Sequence, residues 1–207
     1  MSIAGDMGDI RAARTAMEME ARSTLLSAAA TLLSREGPAA LTVRRLAEAV
    51  NTSTKTIYTH FGGKDGLLEA LYLHSFAELD QAFRKHAEVA DPAKRLILML
   101  DAYRSFALEE PALYDVMFGD LGRAWEAPIH ARKQAWHSFE TLRTAVFDNL
   151  PADRTSEAQQ VTYVLWAGAH GVVSLELRKL IGPSHAAAIF AGVLSAIFAA
   201  NALVHPA

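Results

Sequence analysis

Along most of the chain apolar residues recur at three- and four-residue intervals, and no run of four to eight residues alternates cleanly between apolar and polar. The first spacing puts side chains on one face of a helix, whereas clean alternation would mark a half-buried strand. Leu25, Ala29, Leu32 and Leu33 share such a face, and that stretch stops at Gly37-Pro38. Asp91-Pro92 supplies a capping carboxylate and then a proline, which fits the first helical turn because no backbone N–H is needed there. Glu110-Pro111 and Ala127-Pro128 repeat the proline start, while Asn149-Leu150-Pro151 and Gly182-Pro183 are stops. The pattern predicts an all-α protein of about nine helices, at 18–36, 42–49, 53–60, 64–88, 92–109, 111–118, 128–149, 156–181 and 184–204.

The uncharged run 186–204 has about the length of a membrane span. Alanine makes up much of it, Ser195 and Asn201 interrupt it, and no Lys or Arg flanks it closely. It reads as a core or subunit-interface helix, and no membrane partner is expected.

The most informative stretch is Leu41 to Leu68. Two short helices crossing steeply need a small residue at the crossing point, and Ala47 supplies it between Leu46 and Val50. The turn needs a residue that tolerates a left-handed backbone, which is Asn51. Ser53 is placed to cap the second helix, Ile57 to plug it into the first, and Phe61 to close the small core. Thr54, Lys55, Thr56, Thr59 and His60 are left facing outward, a small polar surface suited to a DNA major groove. Charge supports a polyanion partner. The net formal charge is −3, yet residues 22–64 carry six Lys or Arg against two Glu, and the rest of the chain is acidic.

These residues resemble the tetracycline-repressor (TetR) family of transcriptional regulators. The likeness lies in the Ser53 cap, Thr56-Ile57-Tyr58, His60-Phe61, Lys64 and Leu67-Leu68, preceded by Leu41-Thr42, Arg44 and Leu46-Ala47. It covers about residues 22–70. Three positions depart from the family pattern: Asn51 replaces a usual glycine, Thr52 a usual apolar residue, and Lys55 a frequent glycine. The resemblance implies a helix-turn-helix DNA-binding domain at 18–66 and a helical effector-binding and dimerisation domain at 67–207. It further implies a homodimer on a palindromic operator in double-stranded DNA, and a repressor released by a small-molecule effector. Thr42, Tyr58 and Lys64 would meet phosphates, Thr42 at a helix start where free N–H groups favour an anion. Arg44, Thr54, Lys55, Thr56 and His60 are candidates to read bases. For Tyr58 and His60 a place in the small core is the alternative. Arg11 and Arg14 precede the first helix and are read as an unordered tail rather than a minor-groove arm.

Beyond residue 90, Met99, Tyr103, Phe106, Tyr114, Met117, Phe118, Trp125, Trp136 and Phe139 recur at helical spacing. They fill a core or line a cavity for an apolar or aromatic ligand, and the family resemblance favours the cavity. Trp166 to Gly171 is similar to the Trp-His-Gly (WHG) signature of one C-terminal subfamily, as is Glu110 to Phe118. Trp166 and His170 share a helix face, and His170 is either a packed histidine or a ligand contact. Ala167, Gly168, Gly171, Leu175, Phe190, Leu194 and Ile197 are the expected dimer interface, small residues allowing close approach and larger ones supplying area.

Cysteine is absent, which excludes disulfides and thiolate chemistry and fits a reducing cytoplasm. Met1 to Arg14 holds Asp6 and Asp9 and no apolar run, so no signal peptide is expected. There is no P-loop, dinucleotide-binding glycine motif, HExxH or GxSxG, and no second histidine or carboxylate at metal-ligand spacing from His170. No enzymatic activity, metal or cofactor is expected.

Overall fold

The computed structural model describes residues 3–119 and 125–203. Among these residues there are nine α-helices and no strand: α1 (Ile3–Glu36), α2 (Val43–Ala49), α3 (Thr54–Phe61), α4 (Lys64–Arg84), α5 (Pro92–Glu109), α6 (Pro111–Phe118), α7 (Ile129–Phe147), α8 (Ala158–Leu177) and α9 (Pro183–Ala200). Short 3-10 turns at Pro38–Ala40 and Ala152–Glu157 precede α2 and α8.

The caps fall where their chemistry requires. Asp91 accepts from the backbone N–H groups of Ala93 and Lys94, with Pro92 in the first turn of α5. Asn51 adopts φ 52°, and the Thr52 N–H returns to the Ala47 carbonyl at 2.9 Å, closing α2. Two boundaries differ from the periodicity. Helix α1 begins at Ile3 rather than 18, so Arg11 and Arg14 lie on a helix and not in a tail. Residues 11–17 of this extension are exposed, and it has good helix formers and a local Arg14–Glu18 pair at 3.0 Å, which hydrophobic periodicity does not register. Helix α4 ends at Arg84 because the following N–H groups of His86 and Ala87 turn to carbonyls three residues back, which tightens the chain out of α geometry.

Helices α1–α3 form a small head around Leu25, Ala29, Leu46, Ala47, Ile57 and Phe61, all buried. Helix α4 continues this core through Leu67, Leu68 and Leu71, and joins the body through Leu79 and Phe83. In the body α4 packs along α5, α6 and α7, while α8 lies against α5, α7 and α9. Helices α8 and α9 approach closely at Gly168, where a Cβ would sit 2.8 Å from Ile197 Cδ1 and 2.9 Å from Val193 Cγ1. Glu176 on α8 is buried and accepts two hydrogen bonds from the Arg104 guanidinium on α5, at 2.7 and 2.9 Å.

A second polar cluster lies where α5, α6 and α8 meet. The Tyr114 hydroxyl is 2.6 Å from His170 Nδ1, and the Tyr103 hydroxyl is 3.0 Å from both. Tyr114 and His170 are stacked, with ring centroids 5.6 Å apart. Burial pushes the Tyr114 hydroxyl up to about 12 and Tyr103 well above its usual value. Burial also holds the His170 imidazole below its ordinary 6.5, so the neutral ring can accept at Nδ1 from the phenols.

The sign of the resulting pH dependence follows. The unfolded chain takes up the His170 proton more readily than the folded one, so protonation favours unfolding. The stability contributed by neutral His170 is present above pH 6.5 and is lost as the pH falls from there through the depressed folded value. His170→Gln, which keeps an acceptor but does not titrate, should flatten this part of the pH profile of urea unfolding. An unchanged profile would remove His170 as its source.

Candidate nucleic-acid interface and cavity

The head presents α3 outward. The Ser53 side chain caps it by accepting from the Thr56 N–H at 3.2 Å. Thr54, Lys55, Tyr58 and Thr59 are exposed, Tyr58 at 56%. Tyr58 is therefore no part of the small core. Its ring instead covers Gly63, from which an added Cβ would be only 3.5 Å away. Gly62 caps α3 at φ 73° and Gly63 follows at φ 139°, so two consecutive left-handed residues make the turn into α4. Lys64, at the first position of α4, is exposed.

Two residues of the expected outward face turn partly inward. Thr56 is half-buried, and its Oγ1 lies 3.1 Å from both the Thr52 and the Ser53 hydroxyl oxygens. The polar Thr52, which stands where the family usually has an apolar residue, supplies that contact. His60 is also half-buried, beside Phe61. Its carbonyl accepts from Arg22 of α1, whose guanidinium lies 4.6 Å from the Phe61 ring centroid. On α2, Thr42 is exposed and its hydroxyl caps the helix by accepting from Arg45 N–H at 3.1 Å. The Arg44 side chain is 86% exposed and pairs with Glu48 at 3.0 Å, a surface bond weak enough to exchange for a phosphate or base.

In the body, a cavity of about 250 Å3 opens between α4, α5, α6, α7 and α8. Six expected ligand residues line it: Tyr103, Met117, Phe118, Trp136, Phe139 and Trp166. Their aromatic rings form a continuous wall, Trp136 to Phe139 at 4.8 Å, Phe139 to Trp166 at 6.4 Å and Trp166 to Phe118 at 5.8 Å between centroids. Five others do not line it. Met99, Phe106 and Tyr114 are buried in the core, Trp125 packs 6.0 Å from Tyr72, and His170 stands behind the wall in the tyrosine cluster. The wall also includes Tyr72, Phe76, Leu79 and Phe83 of α4 and Arg132, Ala135, Ser138 and Leu142 of α7, which residue spacing beyond position 90 does not single out. The repeated Tyr72, Phe76, Leu79, Phe83 face is the available signal. A wider cleft of about 910 Å3, lined by polar groups such as Ser27, His74, Glu78 and Asp101, lies between α1, α4 and α5. Burial raises the Asp101 carboxyl there, opposed by the charges of Arg104 and His86.

The outer surface of α8 and α9 is apolar and small. Val164, Ala167, Gly171 and Leu175 are exposed along one side of α8, and Ala188, Gly192, Ser195 and Ala199 along one side of α9. A Cβ added at Gly171 or Gly192 would meet nothing within 4 Å. Helix α9 is long and apolar enough to cross a membrane, with mean hydropathy 1.6, yet only 22% of it is buried within the chain. Four residues expected at a dimer interface also make contacts within the chain. Phe190 and Leu194 are buried in its core, and Gly168 and Ile197 form the internal α8–α9 contact.

A family profile described as bacterial regulatory proteins, tetR family, matches residues 25–71. A second, described as tetracyclin repressor-like, C-terminal domain, matches residues 96–197. The nucleoid occlusion factor SlmA of Aliivibrio fischeri (strain MJ11) is 32% identical over 103 residues, 47% of this chain and 51% of that protein. The chain thus spans about half the length of this curated relative. The uncharacterized HTH-type transcriptional regulator Rv0681 of Mycobacterium tuberculosis is 22% identical over 169 residues, 82% of this chain and 76% of that one. The fold is shared with the solved structure of the TetR family transcriptional regulator PfmR from Thermus thermophilus, at 22% identity and a TM-score of 0.60, covering 83% of this chain and 97% of that one. Matched in head and body by two profiles of one repressor family, this chain belongs to the TetR family of transcriptional regulators.

Proposed function

We propose that the protein is a repressor that binds a palindromic operator as a homodimer and leaves it when a small, largely apolar ligand enters the body. In this reading residues 18–66 are the DNA head and 67–207 the effector and dimerisation domain, and the protein works in the cytoplasm, beside its DNA. The observation that carries the reading is helix α4. Its first residue, Lys64, adjoins the Gly62-Gly63 turn under Tyr58, and its Tyr72, Phe76, Leu79 and Phe83 line the cavity. A ligand in the cavity therefore touches the same rigid element that seats the recognition helix. Shifting α4 changes the spacing of two recognition helices, which must lie about 34–36 Å apart to meet successive major grooves. Within the family, the body reads as the Trp-His-Gly type, with Trp166 on the cavity wall and His170 and Gly171 one turn further along α8.

For the DNA face, Lys55 and Thr59 are assigned to the groove with Thr54, and Arg44, Tyr58 and Lys64 to its edges. Thr42, Ser53, Thr56 and His60 act mainly by holding the helices in place. Double-stranded DNA from upstream of the protein's own gene is the first substrate to test. Lys64→Ala should weaken binding to every sequence and lower the log–log salt slope by about one, as expected for one lost phosphate contact. Lys55→Ala should instead alter the preferred sequence. A salt slope unmoved by Lys64→Ala would take that lysine off the phosphate backbone.

For assembly, the outward face of α8 and α9 is assigned to the two-fold mate, with Ala167, Gly171 and Leu175 in direct contact. Leu175→Asp places a charge in that apolar face. Sedimentation at micromolar concentration should then find monomers where the unaltered chain is a dimer, with operator binding lost alongside. A dimer that persists in Leu175→Asp would move the interface elsewhere.

The switch is tested by reciprocity. A ligand that releases operator must bind more weakly when operator is present, by the same factor, typically five- to 150-fold. Calorimetry with and without operator measures both affinities. Equal values would leave a ligand-independent DNA binder.

A further inference from the structure

Polar groups are distributed unevenly over the cavity of the body. In its interior they are already engaged. The Tyr103 hydroxyl contacts Tyr114 and His170 at 3.0 Å and the Trp166 side chain, and the Ser138 hydroxyl donates to the Ala135 carbonyl at 3.1 Å. The rest of that interior is aromatic and aliphatic, with Phe76, Phe118 and Phe139 only half-buried by the protein itself. A polar group pushed among these rings would lose its hydration. The body of a guest must therefore be apolar.

At the mouth the situation reverses. Among the described lining residues Arg132 carries the one formal charge, and no carboxylate accompanies it. Its side chain is 49% exposed, and its ion-pair partner, Glu126, stands off at 3.7 Å and is itself 86% exposed. The Arg132 charge also reaches Tyr72, whose hydroxyl is pushed up by burial and drawn back by that charge. A guanidinium so loosely paired, lining an otherwise uncharged chamber beside a phenol, is available to an anion there.

We propose that the cavity takes a small monocarboxylate, with its apolar body among Phe76, Phe118 and Phe139 and its carboxylate on Arg132 at the mouth. The inference rests on reading this cavity as the effector site. A planar guanidinium matches a carboxylate with two parallel N–H···O bonds. A single cation balances one negative charge, whereas a phosphate monoester would bring a second charge with nothing to meet it. The volume, about 250 Å3, lies below the span of roughly 300–1,000 Å3 common for drug-sized ligands, so the body is one or two fused rings or a short chain.

The test is calorimetry on the full-length protein with matched acids and amides: benzoate and benzamide, 2-naphthoate and 2-naphthamide, octanoate and octanamide. At least one acid should bind about tenfold or more tighter than its amide, the scale of a charged hydrogen bond. Arg132→Gln should erase that difference, and Arg132→Lys, which keeps the charge but loses the two parallel bonds, should keep only part of it. Thermal melts of both variants in the absence of ligand check that they fold. Equal affinity for acid and amide, a preference that survives Arg132→Gln, tighter binding of 2-naphthyl phosphate than of 2-naphthoate, or silence from every probe would each overturn the proposal. The effector reading fails separately, if an acid binds as described but does not release labelled operator DNA.

Discussion

Helix α4 has to satisfy two packings at once, and the rest of the structure depends on it. Leu67, Leu68 and Leu71 are buried toward the head, Leu79 and Phe83 in the body, and the buried apolar side chains of both regions form one continuous cluster. Close-packed interiors yield little to compression, so α4 moves as a rod or not at all. Its 21 residues make a rod about 30 Å long. A rod of that length links the cavity wall at Phe83 to the turn beside the recognition helix at Lys64. The turn at Gly62 and Gly63 joins it to α3, with both residues in the left-handed backbone region that glycine adopts at least cost.

The polar pairs of the body set limits on how it can respond. Arg104 and Glu176 form a bidentate bond between α5 and α8, with Glu176 buried, and Tyr103, Tyr114 and His170 tie α5 and α6 to α8. Separating either set would leave buried polar groups without partners, which costs far more than the bonds are worth while intact. Sliding of α5 along α8 is thereby resisted. The α4–α7 side encloses the aromatic cavity and is also crossed by polar contacts, Glu69 with His130 at 2.6 Å, Thr141 donating to Asp80 at 2.6 Å, and Arg84 with His137 at 3.1 Å.

Local chemistry was legible in the sequence, whereas facing was legible only in part. Asn51, Ser53 and Asp91 act on backbone groups within a few residues, and each does in the structure what its type and position imply. The all-helical pattern was readable for the same reason, because a helix satisfies its hydrogen bonds within its own segment. What a helix packs against depends on partners far away in sequence. Phe190 and Leu194 look like interface residues by size, but they are buried within the chain, and the small residues on the opposite side of α9 are the exposed ones. The aromatic residues beyond position 90 divided between core and cavity by the same long-range geometry, and α4, earlier in the chain, supplied a further part of the cavity wall. Thr56 turned inward because Thr52 and Ser53 offered its hydroxyl partners, a contact that only the folded turn creates.

The contact of Arg22 with the end of α3 bears on how the head meets a polyanion. An α-helix carries a partial negative charge at its C-terminus, on carbonyls that have no partner within the helix. Here one of those carbonyls, at His60, accepts from the Arg22 guanidinium, which also lies over the Phe61 ring. The protein thus neutralises the negative pole of its recognition helix from within, using a residue of α1 that need never touch nucleic acid. The positive pole, at Thr54, is left uncompensated by any acidic side chain in that first turn. The helix is thus left with its negative pole paired and its positive pole open, which favours an anion at the Thr54 end.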